Sequence, residues 1–208
     1  LIKNKNIKNL KNKIYYIPKY NEKILIDEAN LFSKWYAEEN LKNSKKKIFT
    51  KKFDKIIKKL VSKLQLKNDV FVHRDFHVSN LMLVRDEIGV IDSQDALIGN
   101  RAYDLASLID DVRFKTSKSF KKKVYDYYLK KQKNLIKNKF KNDFEILSVL
   151  RNLKIIGIFT RLSLRDGKKK YIKLIPYTWE LINMRIKENE VFFDLKNLLS
   201  QNFEKKIK

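Results

Sequence analysis

The side chains best suited to chemistry lie in one short polar loop and at the end of one apolar run. The loop spans residues 73–80 and reads HRDFHVSN, and Asp92 follows Asn80 by twelve residues. A carboxylate such as Asp75 can orient a hydroxyl group and take its proton. The amide oxygen of Asn80 and the carboxylate of Asp92 are hard oxygen ligands of the kind that Mg²⁺ prefers. The sequence therefore places a candidate base and two candidate metal ligands together.

The order and spacing of these residues match a known pattern. Kinase catalytic loops read H-R-D-x-x-x-x-N and are followed by a metal-binding aspartate, which is the position of Asp92. In that chemistry the base accepts the proton of the acceptor hydroxyl, and the metal bridges the phosphates of ATP. Each match alone would equally suit a turn that caps nearby backbone. The ordered set favours phosphoryl transfer.

Two histidines in the same loop leave a second hypothesis open. His73 and His77, with Asp75 and Asp92, could form the metal cluster of a hydrolase, since histidines four residues apart share one metal when they lie on a helix. Here they lie between runs typical of strands. The chain has two His and no Cys, so a zinc site would need unusual help from carboxylates.

Short strands are predicted around the polar loop. VFVH (70–73), LMLV (81–84) and IGVID (88–92) are apolar and rich in β-branched residues, and RDE (85–87) predicts a turn. The catalytic loop is thus expected to be carried by a short β-hairpin.

The rest of the chain has the apolar spacing of amphipathic helices. Residues 1–19 are predicted to be a connector that becomes extended near YYIP, and 42–47 to be a solvated loop. Helix 143–165 carries apolar residues nearly all round and should be the buried centre of a helical bundle. Residues 20–208 are expected to form a single domain. The predicted helices are 21–40, 49 to about 68, 102–114, 119–138, 143–165, 169–189 and 194–205.

The composition limits the class of protein but does not choose its function. A chain of 208 residues, 43% of them hydrophobic, can bury a core as one large domain or two small ones. The net charge of +24 suggests nucleic acid or an acidic surface as a partner. However, only eight of the 48 basic residues are Arg, and an A/T-rich genome would produce the same excess of Lys. A basic binding module that uses residues 118–141, where lysines alternate with tyrosines, remains the alternative function.

Cysteine usage and hydropathy bear on the compartment. The absence of Cys fits a reducing cytoplasm, and it excludes disulfides and a cysteine nucleophile. No apolar stretch reaches the length of a membrane span, and the N-terminus lacks an export signal. A cytoplasmic location without membrane contact is expected.

Longer segments around the motif resemble a known superfamily. HRDFHVSNLM, followed by GVIDSQDALIGNRAYDLASLIDD, is similar to the aminoglycoside phosphotransferase and choline-kinase-like superfamily. The resemblance is strongest to its bacterial branch of sugar kinases that phosphorylate N-acetylmuramate and N-acetylglucosamine at the anomeric hydroxyl. Two further segments, 21–36 and 154–176, resemble the same branch, so the likeness covers most of residues 20–180.

The resemblance implies a fold and a set of roles. The fold would be α+β and mostly α, a protein-kinase-like C-terminal lobe, with ATP and Mg²⁺ as co-substrates. Asp75 would be the catalytic base, and Asn80 and Asp92 the metal ligands. His77 and Asn80 would contact the nucleotide, although packing or ordering of the loop is an equal role for His77.

Further positions follow the same resemblance. Asp104 would brace the catalytic loop from the following helix. Gln94 and Asp95 would orient the loop around Asp92 or border the acceptor site. Ser93 replaces the usual aromatic residue after the metal aspartate, which affects the packing of Asp92 and not its ability to bind metal.

One large part of the family pattern has no counterpart in the chain. The first glycine is Gly89, so no Gly-rich phosphate loop precedes the catalytic loop, and no strand lysine with a helix glutamate is present. Together with a first residue that is Leu1, this predicts a C-terminal lobe that has lost its nucleotide-binding N-terminal lobe. Such a chain should bind ATP poorly and turn over slowly or not at all.

The segment after Asp92 indicates the size of the acceptor. Protein kinases carry a long activation segment there, whereas DALIGNRAYDLASL follows here almost at once. A small-molecule hydroxyl is therefore expected, and this segment leaves an amino sugar, an aminoglycoside, choline or another alcohol open. The resemblance implies an amino sugar. Aminoglycosides are polycations that need an acidic pocket, which a chain of this charge would have to build locally.

Overall fold

A computed structural model describes residues 6–8, 14–187 and 189–207, with side chains from residue 14 onward. Its strands and helices divide between two compact units, which we name the loop unit (residues 1–21 and 65–144) and the helical unit (22–64 and 145–208). The strands are β1 (Asn6–Lys8), β2 (Ile14–Tyr16), β3 (Asn68–Val72), β4 (Leu81–Val84), β5 (Glu87–Val90) and β6 (Leu97–Asn100). The α-helices are α1 (Glu22–Ala29), α2 (Glu38–Asn40), α3 (Asn43–Val61), α4 (Tyr103–Ile109), α5 (Lys118–Lys131), α6 (Lys137–Leu164), α7 (Ile175–Ile186) and α8 (Phe193–Asn202).

The loop unit contains three antiparallel strand pairs: β1 with β2, β3 with β6, and β4 with β5. Backbone bonds from Ile98 to Pro18 and from Tyr20 to Ile98, each 2.8 Å, attach the segment after β2 to β6. Arg85 and Asp86 join β4 to β5 with positive φ angles of 47° and 63°, as a two-residue hairpin turn requires. The prediction of a turn at 85–87 and of a strand at 81–84 is confirmed.

The expectation that a hairpin carries the catalytic loop is wrong. Residues 73–80 connect β3 to β4, and these strands belong to different sheets. The partner of β3 is β6, which the sequence analysis missed because LIGN is a short run inside a polar stretch. The β4–β5 hairpin instead follows the loop and ends just before Asp92.

The helical unit is built around packed aromatic rings. Phe32 lies within 5.2–6.2 Å, centroid to centroid, of the rings of Tyr36, Phe49, Phe53, Trp179 and Phe203. These rings come from α3, from α7 and from segments distant in sequence, so they tie the unit together. The Trp179 indole also donates a hydrogen bond of 3.3 Å to the Tyr36 hydroxyl.

Several predicted helix boundaries differ from the structure. The predicted loop at 42–47 is wrong, because α3 begins at Asn43 and its lysines lie on a solvated helical face. Within the predicted helix 21–40, residues Phe32–Ala37 form a π-helical segment. The predicted helix 102–114 ends at Ile109, since the two acidic residues that follow turn inward and are buried.

The longest helix extends further than predicted and is buried as expected. α6 begins at Lys137 rather than 143, and residues 137–144 belong to the loop unit. Its apolar residues from Phe144 to Phe159 include nine that are buried. The predicted connector 1–19 contains β1 and β2, and residues 1–5 and 9–13 lie outside the described part. Among the described residues, no helix is both long and apolar enough to cross a membrane.

Candidate active site

The start of the catalytic loop is held by a carboxylate from α4. Asp104 accepts hydrogen bonds from the backbone amides of His73 (2.7 Å) and Arg74 (3.1 Å). Arg74 has a φ of +73°, a conformation that costs free energy for any residue with a Cβ. The two bonds from Asp104 stabilise this strained turn. The predicted bracing role of Asp104 is confirmed.

The middle of the loop is held by a second carboxylate, which the sequence analysis missed. Asp111 is 1% exposed and accepts hydrogen bonds from the amides of Val78 (3.1 Å) and Arg113 (2.9 Å). It lies seven residues, about two helical turns, after Asp104. The signal that could have revealed it is the acidic pair DD directly after the apolar run LASLI, since adjacent buried acids need partners.

Asp110, the other acid of this pair, is also buried. Asp110 lies 3.4 Å from the Lys121 Nζ, which also donates a hydrogen bond to the Ile109 carbonyl. Lys121 is itself buried, so this is a desolvated ion pair rather than a surface contact. The end of α4 thus carries one acid that is paired with a lysine and one that holds the catalytic loop.

The structure brings the two predicted metal ligands together. The Asn80 Nδ2 lies 3.5 Å from the Asp92 Oδ2 and donates a 2.9 Å hydrogen bond to the Asp75 carbonyl. Because the amide nitrogen is committed to that carbonyl, the amide oxygen is the atom left for a cation. Asp92 is solvent-exposed and has a φ of +69°, a further strained position beside the loop.

Gln94 orients the carboxylate of Asp92. Its amide nitrogen donates to the Asp92 Oδ1 at 2.5 Å, while the Arg74 guanidinium donates to the Asp95 carbonyl at 3.0 Å. Both contacts agree with the predicted role of Gln94 and Asp95 in shaping the segment after the strand.

Asp75 lies on a backbone that is fixed from both sides. Its carbonyl accepts hydrogen bonds from the His77 amide (3.0 Å) and from the Asn80 side chain, while its own side chain is half-buried. A carboxylate on such a backbone is preorganised for a hydroxyl, since little further ordering is needed to use it. The backbone of Asp75 and the side chains of Asn80 and Asp92 are therefore held in one hydrogen-bonded group, in which Asn80 is buried and Asp92 is exposed.

The two histidines are placed for packing rather than for a shared metal. The His73 ring is buried, lies 2.9 Å from the Ile91 carbonyl through Nε2 and packs at 6.0 Å against the Phe76 ring. His77 is also buried. Within the described part of the chain, no group of three His, Asp or Glu side chains is arranged to hold a metal ion. This arrangement argues against the hydrolase hypothesis.

The basic helix of the alternative function also packs its aromatic residues. In α5, Tyr128 stacks on Phe140 at 5.4 Å, and Tyr125 lies 4.8 Å from the Phe144 ring. Only Tyr127 of these three tyrosines is exposed. Two of the three rings that could have stacked on bases therefore serve the core of the loop unit.

Comparison with known proteins identifies the family of the chain. A family model described as "Phosphotransferase enzyme family" (APH) matches residues 18–135, which is more than half of the chain. The chain belongs to the APH phosphotransferase family. The matched range contains the catalytic loop, both candidate metal ligands and the two bracing carboxylates on and after α4.

Curated relatives of this APH-family chain carry one name. It is 36% identical over 166 residues to an N-acetylmuramate/N-acetylglucosamine kinase of Neisseria meningitidis serogroup B, covering 77% of the chain and 50% of that protein. Proteins of the same name from Caulobacter vibrioides (34% identity, 55% of the chain and 33% of the relative) and Pseudomonas aeruginosa (30%, 88% and 56%) also match. The chain thus spans about half the length of most of these relatives.

Proposed function

We propose that the chain is the catalytic lobe of an ATP- and Mg²⁺-dependent kinase that phosphorylates the hydroxyl of an amino sugar such as N-acetylmuramate or N-acetylglucosamine. The observation that supports the proposal is that the Asn80 side chain contacts both the Asp75 carbonyl and the Asp92 carboxylate, in a loop braced by two further carboxylates. The names of the relatives support the acceptor class.

The donor set fits the implied metal. The Asn80 amide oxygen and the Asp92 carboxylate are hard ligands, and Mg²⁺ commonly takes one or two protein ligands together with waters and phosphate oxygens. When bound, Mg²⁺ would neutralise charge on the phosphates of ATP. Gln94 would keep the Asp92 carboxylate in place, and His77 would order the loop or contact a phosphate.

Asp75 acts on the acceptor in this proposal. Its carboxylate accepts a hydrogen bond from the sugar hydroxyl, orients the oxygen for attack and takes the proton as the new oxygen–phosphorus bond forms. The bond between the transferred phosphoryl group and ADP breaks in the same displacement. The two hydrogen bonds to the Asp75 carbonyl fix its backbone, so less conformational entropy is lost when the carboxylate binds the hydroxyl.

The proposal includes a nucleotide-binding lobe that precedes this chain in the same protein. The β4–β5 hairpin beside Asp92 exposes five large apolar side chains, each between 46% and 71% exposed: Met82, Leu83, Val84, Ile88 and Val90. An apolar surface of this kind marks a binding face. Its position after the catalytic loop supports covering by ATP and by the proposed lobe. The chain alone should then have little activity.

The test uses the protein encoded by this chain together with its upstream coding sequence. Phosphate transfer from ATP to N-acetylglucosamine and N-acetylmuramate is measured with Mg²⁺, beside the chain alone. Asp75→Asn should lower kcat by about 10³-fold, within the range of general-base catalysis. Asp92→Ala should abolish the Mg²⁺-dependent activity.

The control makes the same chemical change away from the loop. Asp126→Asn, at an exposed acid of α5, should leave kcat within twofold. Retention of activity in Asp75→Asn or Asp92→Ala would refute the assigned roles. Faster turnover of kanamycin or choline than of either amino sugar would refute the acceptor, and full activity of the chain alone would refute the need for a second lobe.

A further inference from the structure

A cavity of about 630 Å³ lies inside the loop unit, behind the catalytic loop. Its walls are formed by β3, α4 and α5 and, on the side of the catalytic loop, by Phe76, Val90 and Ser93, and they are largely aliphatic and aromatic. The apolar wall residues used below are Phe71, Val72, Leu105, Leu108 and Val124. This volume lies within the range of small-molecule sites.

The chemistry of the walls differs from that of the proposed acceptor site. Asp75, Asn80 and Asp92 do not line the cavity. A sugar placed there would lose water from several hydroxyls with few groups to replace it, which is costly. An apolar body, in contrast, would gain free energy from burial against these side chains. The cavity therefore fits a ligand with a hydrocarbon or aromatic body.

The polar residues of the cavity favour a negative charge on that ligand. Two cations, Arg101 and Lys131, line it with one acid, Asp104, whose two oxygens already accept the amides of His73 and Arg74. The Lys131 Nζ lies 5.5 Å from the centroid of the Tyr127 ring, another lining residue. Arg101 also forms an ion pair with Asp69 at 3.4 Å, which offsets its charge, so Lys131 is the cation that chiefly favours an anion at the cavity.

Tyr128 adds a neutral donor. Burial, the largest cause, raises the pKa of its phenol above the usual value, although the nearby charge of Arg101 acts in the opposite direction. The hydroxyl therefore keeps its proton at neutral pH and can donate a hydrogen bond to an anion.

We propose that this cavity is a second ligand site, adjoining the phosphoryl-transfer residues but not lined by them, for an amphipathic monoanion with an aliphatic or aromatic body. The body lies against Leu105, Leu108 and Val124, and the anionic group lies near Arg101 and Lys131. His73 and Asp104 also line the cavity, so the ligand contacts residues that hold the catalytic loop. The proposal of this second site rests on the residues that line the cavity, and it does not require the proposed kinase function.

The test titrates the chain with 8-anilinonaphthalene-1-sulfonate, an aromatic monoanion whose fluorescence rises on burial. One saturable site is expected. Leu108→Trp and Val124→Trp, which fill the cavity from two different helices, should each raise the Kd at least tenfold. Far-UV circular dichroism and urea unfolding verify that both variants are folded. Two variants on different helices are used so that the test still stands if one of them misfolds.

Charge is tested with a matched pair of variants and a matched pair of competitors. Lys131→Glu should raise the Kd about tenfold, which corresponds to about 1.4 kcal/mol. Lys130→Glu, the same change at the neighbouring exposed residue that does not line the cavity, should leave it within twofold. Octanoate should displace the probe at lower concentration than octylamine, which has the same chain length and the opposite charge.

The exposed hairpin provides the competing explanation. Leu83→Glu removes the most exposed apolar side chain of β4 and should not change the Kd. Loss of the saturable site in Leu83→Glu, with unchanged binding in Leu108→Trp and Val124→Trp, would overturn the proposal. Equal competition by octylamine and octanoate would overturn the assigned charge.

Discussion

The loop unit and the helical unit are stabilised by different kinds of interaction. In the loop unit, three carboxylates each accept at least two hydrogen bonds from backbone amides: Asp104, Asp111 and Asp143. In the helical unit, the centre is a cluster of rings around Phe32. The unit with the candidate site is thus ordered largely by charge-assisted hydrogen bonds, and the other largely by packing.

The difference follows from what each unit has to hold. The catalytic loop includes Arg74 in a left-handed backbone conformation, Asp92 beside it has another, and the amides of the loop have no strand partners. Hydrophobic burial has no direction and cannot set the position of individual amides. A carboxylate acts on chosen amides at 2.7–3.1 Å and so fixes the loop while leaving Asp75 and Asp92 open to solvent.

The largest effect is expected in the ring cluster. Phe53 is 0% exposed and stacks on Phe32 and Phe49. Phe53→Ala should lower the free energy of unfolding by about 4 kcal/mol, because it removes a buried ring and leaves a cavity. Urea unfolding measures this. Phe193→Ala, at a ring that is 66% exposed in the same unit, should change it by less than about 0.5 kcal/mol.

A comparable loss in the loop unit should come from one carboxylate. Asp143 is 0% exposed and accepts hydrogen bonds from the Gln65 and Leu66 amides, each 2.8 Å, and from the Asn100 side chain at 2.6 Å. Asp143→Ala should cost about 3 kcal/mol, since it leaves several donors without their acceptor. Asp126→Ala, at an exposed acid of α5, is the control. Equal stability of the two variants would mean that carboxylates do not order this unit.

Close backbone contact gives the helical unit a second sensitive point. A Cβ on Gly157 of α6 would lie 2.4 Å from the backbone of Leu31. Gly157→Ala should therefore cost about 2–3 kcal/mol by overpacking, despite the better helix propensity of alanine. At Gly89 in β5 the nearest atoms to such a Cβ are 3.7 Å away. Thermal unfolding of Gly89→Ala should match that of the unsubstituted chain. If the stability of Gly157→Ala were also unchanged, the close contact with the Leu31 backbone would not contribute to the stability of the unit.

Surface carboxylates of the helical unit should matter least. The hydrogen bond from Lys58 is the largest cause that lowers the pKa of Asp54, and Asn30 donates a second. A depressed folded pKa stabilises the fold above the ordinary Asp value, and this contribution disappears as the pH falls through the folded value. Asp54→Asn should cost about 0.5 kcal/mol at pH 7 because the pair is partly exposed, and progressively less as the pH is lowered towards 2. A difference that persists undiminished at pH 2 would contradict this sign.

Much of the candidate site was predictable because its residues are close in sequence. The spacing from His73 to Asn80 and on to Asp92 predicted the site, and the structure places Asn80 beside Asp92. The bracing role of Asp104 was predicted from the family resemblance and is confirmed. The expected nucleotide contacts of His77 and Asn80, and the catalytic role of Asp75, stay predictions.

Other features could not be read from local patterns. Asp111 was missed because its partner Val78 lies 33 residues away in sequence, and the pairing of β3 with β6 was missed for the same kind of reason. The loop predicted at 42–47 was wrong because a lysine-rich segment fits a solvated helical face as well as a loop.

The amino-acid sequence alone determined the family, the polar residues at the centre of the site and the presence of a long buried helix. These depend on residue type, spacing and periodicity, which are local properties. The tertiary structure decided which carboxylates hold the loop, which strand pairs with β3 and that a cavity lies behind the site. Those depend on contacts between distant segments, whose partners are selected by the free energy of the whole fold and not by any one stretch of chain.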